Sequence, residues 1–439
     1  MKKINTLRAT VVAAVLATGS AAWATNGMLI EGYGPQALSM GGAAQAYDNG
    51  TAGMMNNPAT LQLGANGTRA DVALGVLGPK VTSMGEKSGG TSYVMPAFGW
   101  VRKNDQYSYG IGIFGQGGMG TEYAANSMNS AGTNAPVRSE LAVGRVIFPV
   151  SYKVDDRLNL GATIDYTWAS LDMRMAAMFE QMAGMSPMPT GQFGAMMGAI
   201  QQGQMQPPST VRIDFSNNND FTGAAKSGGF TGKLGATFQV REDLTLGASY
   251  QLKTNLGDMK TGASAASLTM GMELPGRMVV HDFQMPAVMG AGVSWVASPQ
   301  FQLVADVKRI DWSSVMKNFK MTFESSQGMG SMGFTLPQNW KDQTVLSLGG
   351  AFKVDGDLTI RGGYSHSSNP VPDATVHPLF PAIIKNHLTA GFGYQISKAM
   401  SLDGAVSHAP KVTVNAGMLN GAPITHSQTS YQILLAYRY

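Results

Sequence analysis

From residue 68 onward the chain repeats segments of about 9 to 15 residues in which apolar and polar positions alternate. Leu158, Leu160, Ala162, Ile164, Tyr166 and Trp168 alternate with Asn159, Gly161, Thr163 and Asp165, and the last segment sets Tyr431, Ile433, Leu435, Tyr437 and Tyr439 on one face. Period two means strands, because successive side chains point to opposite sides of a sheet. A soluble sandwich would turn the apolar face inward and cover the other with Lys and Glu. Here the second face is Gly, Ser, Thr, Gln and Ala, only 13% of all residues are charged, and Gly alone supplies 55 of 439. Such a face suits a crowded polar lumen while the apolar face meets lipid. The fold class read from the chain is all-β, a transmembrane antiparallel β-barrel.

Connections set the expected strand count, since outer-membrane barrels join strands by short turns at one end and long loops at the other. Short turns fall at Lys103-Asn104-Asp105, Asp155-Asp156-Arg157, Arg241-Glu242-Asp243, Ser298-Pro299-Gln300, Asp355-Gly356-Asp357 and Ser397-Lys398-Ala399. Long connections lie near 80–90, 117–138, 174–228, 255–282, 326–341, 370–384 and 413–427. Together they predict fourteen strands. The segments 263–274 and 315–325 are read as loop structure and as an extension of the preceding strand; counting them as strands gives sixteen.

The N-terminus supplies the compartment. Lys2 and Lys3 precede an apolar stretch from Ala9 to Ala17, followed by Ala22-Trp23-Ala24, the pattern of a secretory signal peptide over residues 1–24. Without Lys2, Lys3 and Arg8, basic and acidic residues nearly balance, which removes the electrostatic footprint of a nucleic-acid binder. Zero cysteines exclude disulfides and thiolate sites, and the 6 histidines show no paired spacing for a metal. No cofactor is expected: the G-x-G-x-x-G match at Gly110 lies in a strand rather than a strand-to-helix turn. An exported, cysteine-free, glycine-rich barrel points to the bacterial outer membrane.

Residues 25–66 do not alternate and carry turn signals at Gly32, Gly34-Pro35, Gly41-Gly42, Asn49-Gly50 and Asn57-Pro58. A barrel of this size is wider than its own side chains fill. The segment is expected to plug the lumen, with residues 67–439 forming the barrel; a flexible periplasmic tail is the other reading.

Asn26-Gly27-Met28, Ala46-Tyr47-Asp48-Asn49 and Asn56-Asn57-Pro58-Ala59 resemble the hatch of the outer-membrane long-chain fatty acid and hydrophobic-compound transporter family (FadL, OmpP1, TodX-like). Asp311-Trp312-Ser313, Pro337-Gln338-Asn339-Trp340-Lys341-Asp342, Arg361-Gly362-Gly363-Tyr364 and Asn369-Pro370-Val371-Pro372 resemble its C-terminal half. The resemblance implies a hatch that gates through Asn26, Gly27, Met28, Asn57, Pro58 and Ala59, and a kinked third strand that opens the wall sideways. Gly110 and Gly112 in Tyr107–Gly115 are the expected kink, since glycine inside a strand marks a bulge or bend; small residues that let the plug pack closely are the other reading.

The loop at 174–228 is Met-rich and expected to be partly helical. Met175, Met178, Met182 and Met185, spaced three and four apart, would share one helical face. Flexible thioethers suit a surface that accepts varied apolar shapes, and they equally suit packing against another loop. A second loop adds Leu268 and Met270. Lys308 and Arg361 are the candidate cations for a ligand headgroup, or else they pair within the barrel. The expected activity is passive uptake of hydrophobic small molecules, long-chain fatty acids or hydrocarbons: loop capture, hatch rearrangement and lateral release. The expected surroundings are outer-membrane lipid and lipopolysaccharide, with the protein acting as a monomer. A general porin or a structural or adhesin barrel is the alternative. No nucleophile motif such as G-x-S-x-G supports an enzyme.

Overall fold

The computed structural model describes residues 26–439 except 186, 220 and 221. The expected leader, 1–24, lies outside the described residues. Alternation becomes a closed antiparallel wall. The strands Gly67–Ser83, Tyr93–Lys103, Tyr107–Tyr123, Val137–Lys153, Leu158–Met178, Ala225–Arg241 and Leu244–Gln251 each pair with the next. The wall continues through Val288–Ser298, Phe301–Ile310, Gln343–Lys353, Leu358–Ser367, Asn386–Gln395, Met400–Ala416 and Ala422–Arg438. The last strand pairs with the first from Arg69↔Arg438 to Ser83↔Ile424. Closure satisfies the backbone where no water can do so. Ile164 is 68% exposed on the outer surface and its neighbour Asp165 is 1% exposed within.

The expected count of fourteen strands is corrected by the sheet itself, which contains 23 strands, eighteen of them six residues or longer. Thr210–Phe215, Met272–His281, Asn318–Ser325 and Ser331–Pro337 carry the sheet past the wall at the long-connection end. The segments read as loop and extension therefore contain strands of their own, Ala266–Met270, Met272–His281 and Asn318–Ser325. Their partners are remote in sequence: Ile213 lies opposite both Met175 and Leu268. Pairing of that kind leaves little local trace, so turn counting misses it.

Residues 26–66 pack against inward-facing side chains all around the wall. Asp71 accepts from the amide and hydroxyl of Thr51 at 3.0 and 2.8 Å. Asp306 accepts from the amides of Ala44 and Gln45 at 2.6 and 3.2 Å. Ser151 donates to the carbonyl of Pro58 at 2.6 Å, and Lys233 to those of Met55 and Asn56. At the closest approaches of this segment the wall carries glycine: a β-carbon on Gly161 would meet the backbone of Ala59, one on Gly247 the carbonyl of Gln45, and one on Gly235 the side chain of Asn57. The small inner face of the strands is thus the surface on which the plug lies.

Candidate functional site: a lateral gap and an apolar chamber

The second and third wall strands, Tyr93–Lys103 and Tyr107–Tyr123, pair only from Phe98↔Ile113 to Lys103↔Ser108. Tyr93 to Leu77 and Ala97 to Ala73 stay paired on the other side, so among the described residues Val94–Ala97 has a ladder partner on one edge alone. The third strand parts from its neighbour beyond Ile113, and its register with the fourth slips between Gly115 and Gly117. A cavity of about 310 Å³ fills the gap. Its lining runs from the outward-facing Val94 and Ile113 to the buried Phe114 and Leu141 and the half-buried Met119. It therefore crosses the wall.

The third strand turns inward onto the N-terminal segment. Gly118 donates its amide to the carbonyl of Met28 at 3.0 Å, and Leu29 forms a bridge with Gly117. A β-carbon on Gly117 would overlap Met28, and one on Gly115 would lie 2.7 Å from Met95 Cε. These glycines permit the close approach. Gly110 and Gly112, the residues singled out in the sequence, sit in the paired ladder opposite Val101 and Gly99.

Inside the gap lies an apolar chamber lined by Met28, Met119, Leu141, Leu171, Met173, Met175, Phe283, Met316, Phe319, Leu336, Trp340 and Phe380, with Gln338 and His377 as its polar members. Its free space is about 20 Å³. Met119 and Leu141 belong to both cavities, so two side chains separate chamber from gap. The chamber's roof includes the segment 377–380, which is tied across the bore: Thr121 and Tyr123 donate to the carbonyl of Pro378 at 3.1 and 3.2 Å, and Ser139 donates to that of Leu379. Burial pulls the His377 imidazole down to about 4, so it is neutral at pH 7.

A polar hollow of about 60 Å³ is lined by Asn26, Tyr33, Gln116, Arg145, Lys233 and Lys308, among others. Arg145 there contacts Gln116 at 2.8 Å, Asp165 at 3.1 Å and Gln251 at 2.5 Å. Met28 faces the chamber while Asn26 faces the hollow. The segment Asn26–Met28 is the partition between apolar and polar lumen. Gly27 makes this possible with a φ of +67° and with Trp312 packed where a β-carbon would stand, 2.7 Å away.

The other residues named from sequence are distributed as follows. Met175 and Met178 belong to the wall strand Leu158–Met178, and Met182 and Met185 to a 3-10 turn, Phe179–Met185. The single helical face expected over 175–185 is therefore absent, because strand pairing with Thr210–Phe215 continues to Met178. The helix of this region is Gly191–Gln201. Of the four, only Met175 lines the chamber. Leu268 and Met270 are buried in the cap that covers it. Lys308 donates to the carbonyl of Gly42 at 2.7 Å, and Arg361 pairs with Asp403 at 2.8 Å. Asn57 donates to the carbonyls of Gln45 and Ala236 and accepts from Ala59, far from the Met28 partition in role. Sequence reasoning missed Met119, Leu141 and His377, whose local pattern is that of other strand and loop residues, and it gave Gln338 no role although the Pro337–Asp342 stretch that contains it carries the family resemblance.

The chain matches the outer membrane protein transport protein family (OMPP1/FadL/TodX) over residues 11–436. It is 23% identical over 330 residues to the long-chain fatty acid transport protein of Escherichia coli K12, covering 72% of this chain and 70% of that protein. A stretch of 64 residues is 47% identical to an uncharacterized Chlorobium limicola protein from the phosphoenolpyruvate carboxykinase gene 5' region, spanning 31% of that protein's length and 15% of this chain. Among solved structures, the Ralstonia pickettii toluene transporter TbuX superposes with a TM-score of 0.79 at 31% identity, over 93% of this chain and 99% of that one. The P. putida toluene transporter TodX gives a TM-score of 0.81 at 28% identity, with coverage of 93% and 99%.

Proposed function

Because the chain belongs to the OMPP1/FadL/TodX family of bacterial outer-membrane transporters for hydrophobic compounds, we propose that it carries neutral hydrophobic molecules of single-ring size and releases them sideways into the membrane. The route runs from the Met-rich cap into the chamber beside Met28, past Met119 and Leu141, and out between Tyr93–Ala97 and Phe114–Gly120. The observation that carries this reading is the shared boundary: one cavity is apolar and lies inside the bore, the next crosses the wall, and the rotatable side chains of Met119 and Leu141 line both.

The ligand class follows from charge. Among the described residues no Lys or Arg lines the chamber, and Lys308 and Arg361 are engaged by Gly42 and Asp403. A carboxylate buried there would have no cation to pair with, which costs several kcal/mol. A hydrocarbon brings no charge to desolvate and gains about 0.8 kcal/mol per methylene-sized group removed from water. The Met side chains adapt to make room. The likeness to two toluene transporters supports the same class.

Uptake into liposomes carrying the purified protein tests this. Saturable toluene uptake that oleate barely competes with is the expected result. Equal or stronger competition by oleate at matched free concentration would exclude the neutral-ligand reading.

A further inference from the structure

Gln338 and His377 line a largely apolar chamber, each with side-chain hydrogen-bonding capacity left over, and the indole Nε1 of Trp340, which lines it too, is buried without a partner among the described residues. Gln338 is 6% exposed, and its side-chain amide makes no hydrogen bond among the described residues. Its backbone is fully used: the amide donates to Lys317 and the carbonyl accepts from Thr375 Oγ1 at 2.7 Å. That last bond also fixes Gln338 against the segment that carries His377. On His377, Nδ1 accepts from the amide of Leu379 at 3.1 Å. A neutral ring that accepts at Nδ1 carries its proton on Nε2, and Nε2 has no partner among the described residues.

Buried polar groups are ordinarily satisfied, and leaving one unpaired costs free energy. A hydrocarbon in the chamber would seal both groups from water. A ligand with one uncharged oxygen would instead accept from His377 Nε2–H and exchange a hydrogen bond with the Gln338 amide. We infer that Gln338 and His377 select neutral ring compounds bearing a single hydroxyl or carbonyl group over the bare hydrocarbon of the same shape. The inference rests on the uptake reading, since it concerns the same chamber. The nearby Met and aromatic side chains hold the ring, and the two polar groups read the substituent. Sites built around a buried hydrogen-bonding group discriminate against analogues that lack the matching atom, because the site group is then stranded.

The probes are toluene and 4-methylphenol, which differ by one hydroxyl and are both uncharged at pH 7. Binding to the purified protein in detergent is followed by calorimetry and by the fluorescence of Trp340, which lines the chamber. Replacing Gln338 and His377 together (Gln338→Leu with His377→Phe) should weaken 4-methylphenol about tenfold relative to toluene, taking the ratio of the two Kd values in the parent as the reference. Gln338→Leu alone, which leaves the Leu379 contact intact, should shift the ratio about threefold in the same direction. An unchanged ratio in both variants, with toluene still bound, overturns the inference and leaves the uptake reading standing. If neither compound binds the parent protein in the chamber, both fall.

Discussion

The amide of Gly118 donates to the carbonyl of Met28 at 3.0 Å, so the strand that borders the lateral gap and the segment that partitions the lumen are fastened to each other. Motion of one displaces the other. A ligand that pushes Met28 aside therefore also acts on the strand that must move for it to leave.

Gly117→Val tests this fastening. Its side chain would occupy the place of the Met28 carbonyl and break the bridge to Leu29. The expected result in planar bilayers is a several-fold rise in ion conductance over the plugged parent. Parent-like conductance, together with unchanged hydrogen exchange at Leu29, would show that the two elements are independent.

Asp306→Ala removes the acceptor for two buried amides, Ala44 and Gln45. Each orphaned donor costs about 1–3 kcal/mol, so the plug should loosen before the barrel unfolds. Protease cleavage within residues 40–50 should become measurable while the sheet signal stays native. Resistance equal to that of the parent would place the anchor elsewhere.

Gly27→Ala combines a left-handed backbone, φ +67°, with a β-carbon 2.7 Å from Trp312. The two together should cost about 1–3 kcal/mol. Movement of Trp312 should appear as a shift in fluorescence, and toluene affinity should fall because Met28 leaves the chamber. An unshifted spectrum with parent affinity would contradict the placement.

His377 sets a pH dependence. Burial lowers its pKa from 6.5 to about 4, so between these values the open loop binds more protons than the packed one. Packing is at full strength above pH 6.5 and weakens as pH falls toward 4, by at most tenfold in the opening equilibrium per pH unit. Hydrogen exchange in residues 376–384 should accelerate over that window in the parent and less steeply in His377→Phe, where His426 still holds the carbonyl of Pro381. The same slope in both proteins would remove His377 from the account.

The wall was legible because its pattern is local: Ile164 outward and Asp165 inward repeat along the strand whatever lies next to it. The cap was not, since strands such as Thr210–Phe215 owe their form to Met175 and Leu268, distant in sequence. The gap was half legible. Glycines at 110, 112, 115, 117, 118 and 120 announce an irregular strand, but only the pairing shows that the ladder ends at Ile113 and slips at Gly115. Lys308 looked like a headgroup ligand because its partner, the carbonyl of Gly42, is a backbone atom that no residue type reveals. Gln338 and His377 were overlooked for the converse reason: their importance lies in what they fail to contact.

The most direct test of lateral release is to fill the gap while leaving the plug alone. Gly115→Leu places a side chain against Met95 inside the 310 Å³ cavity, and Met95→Trp fills it from the other side. Initial rates of toluene uptake into liposomes should fall about tenfold or more in each variant, with toluene binding to the chamber and the low ion conductance both retained. Uptake at the parent rate in both variants would mean that the substrate leaves by another path.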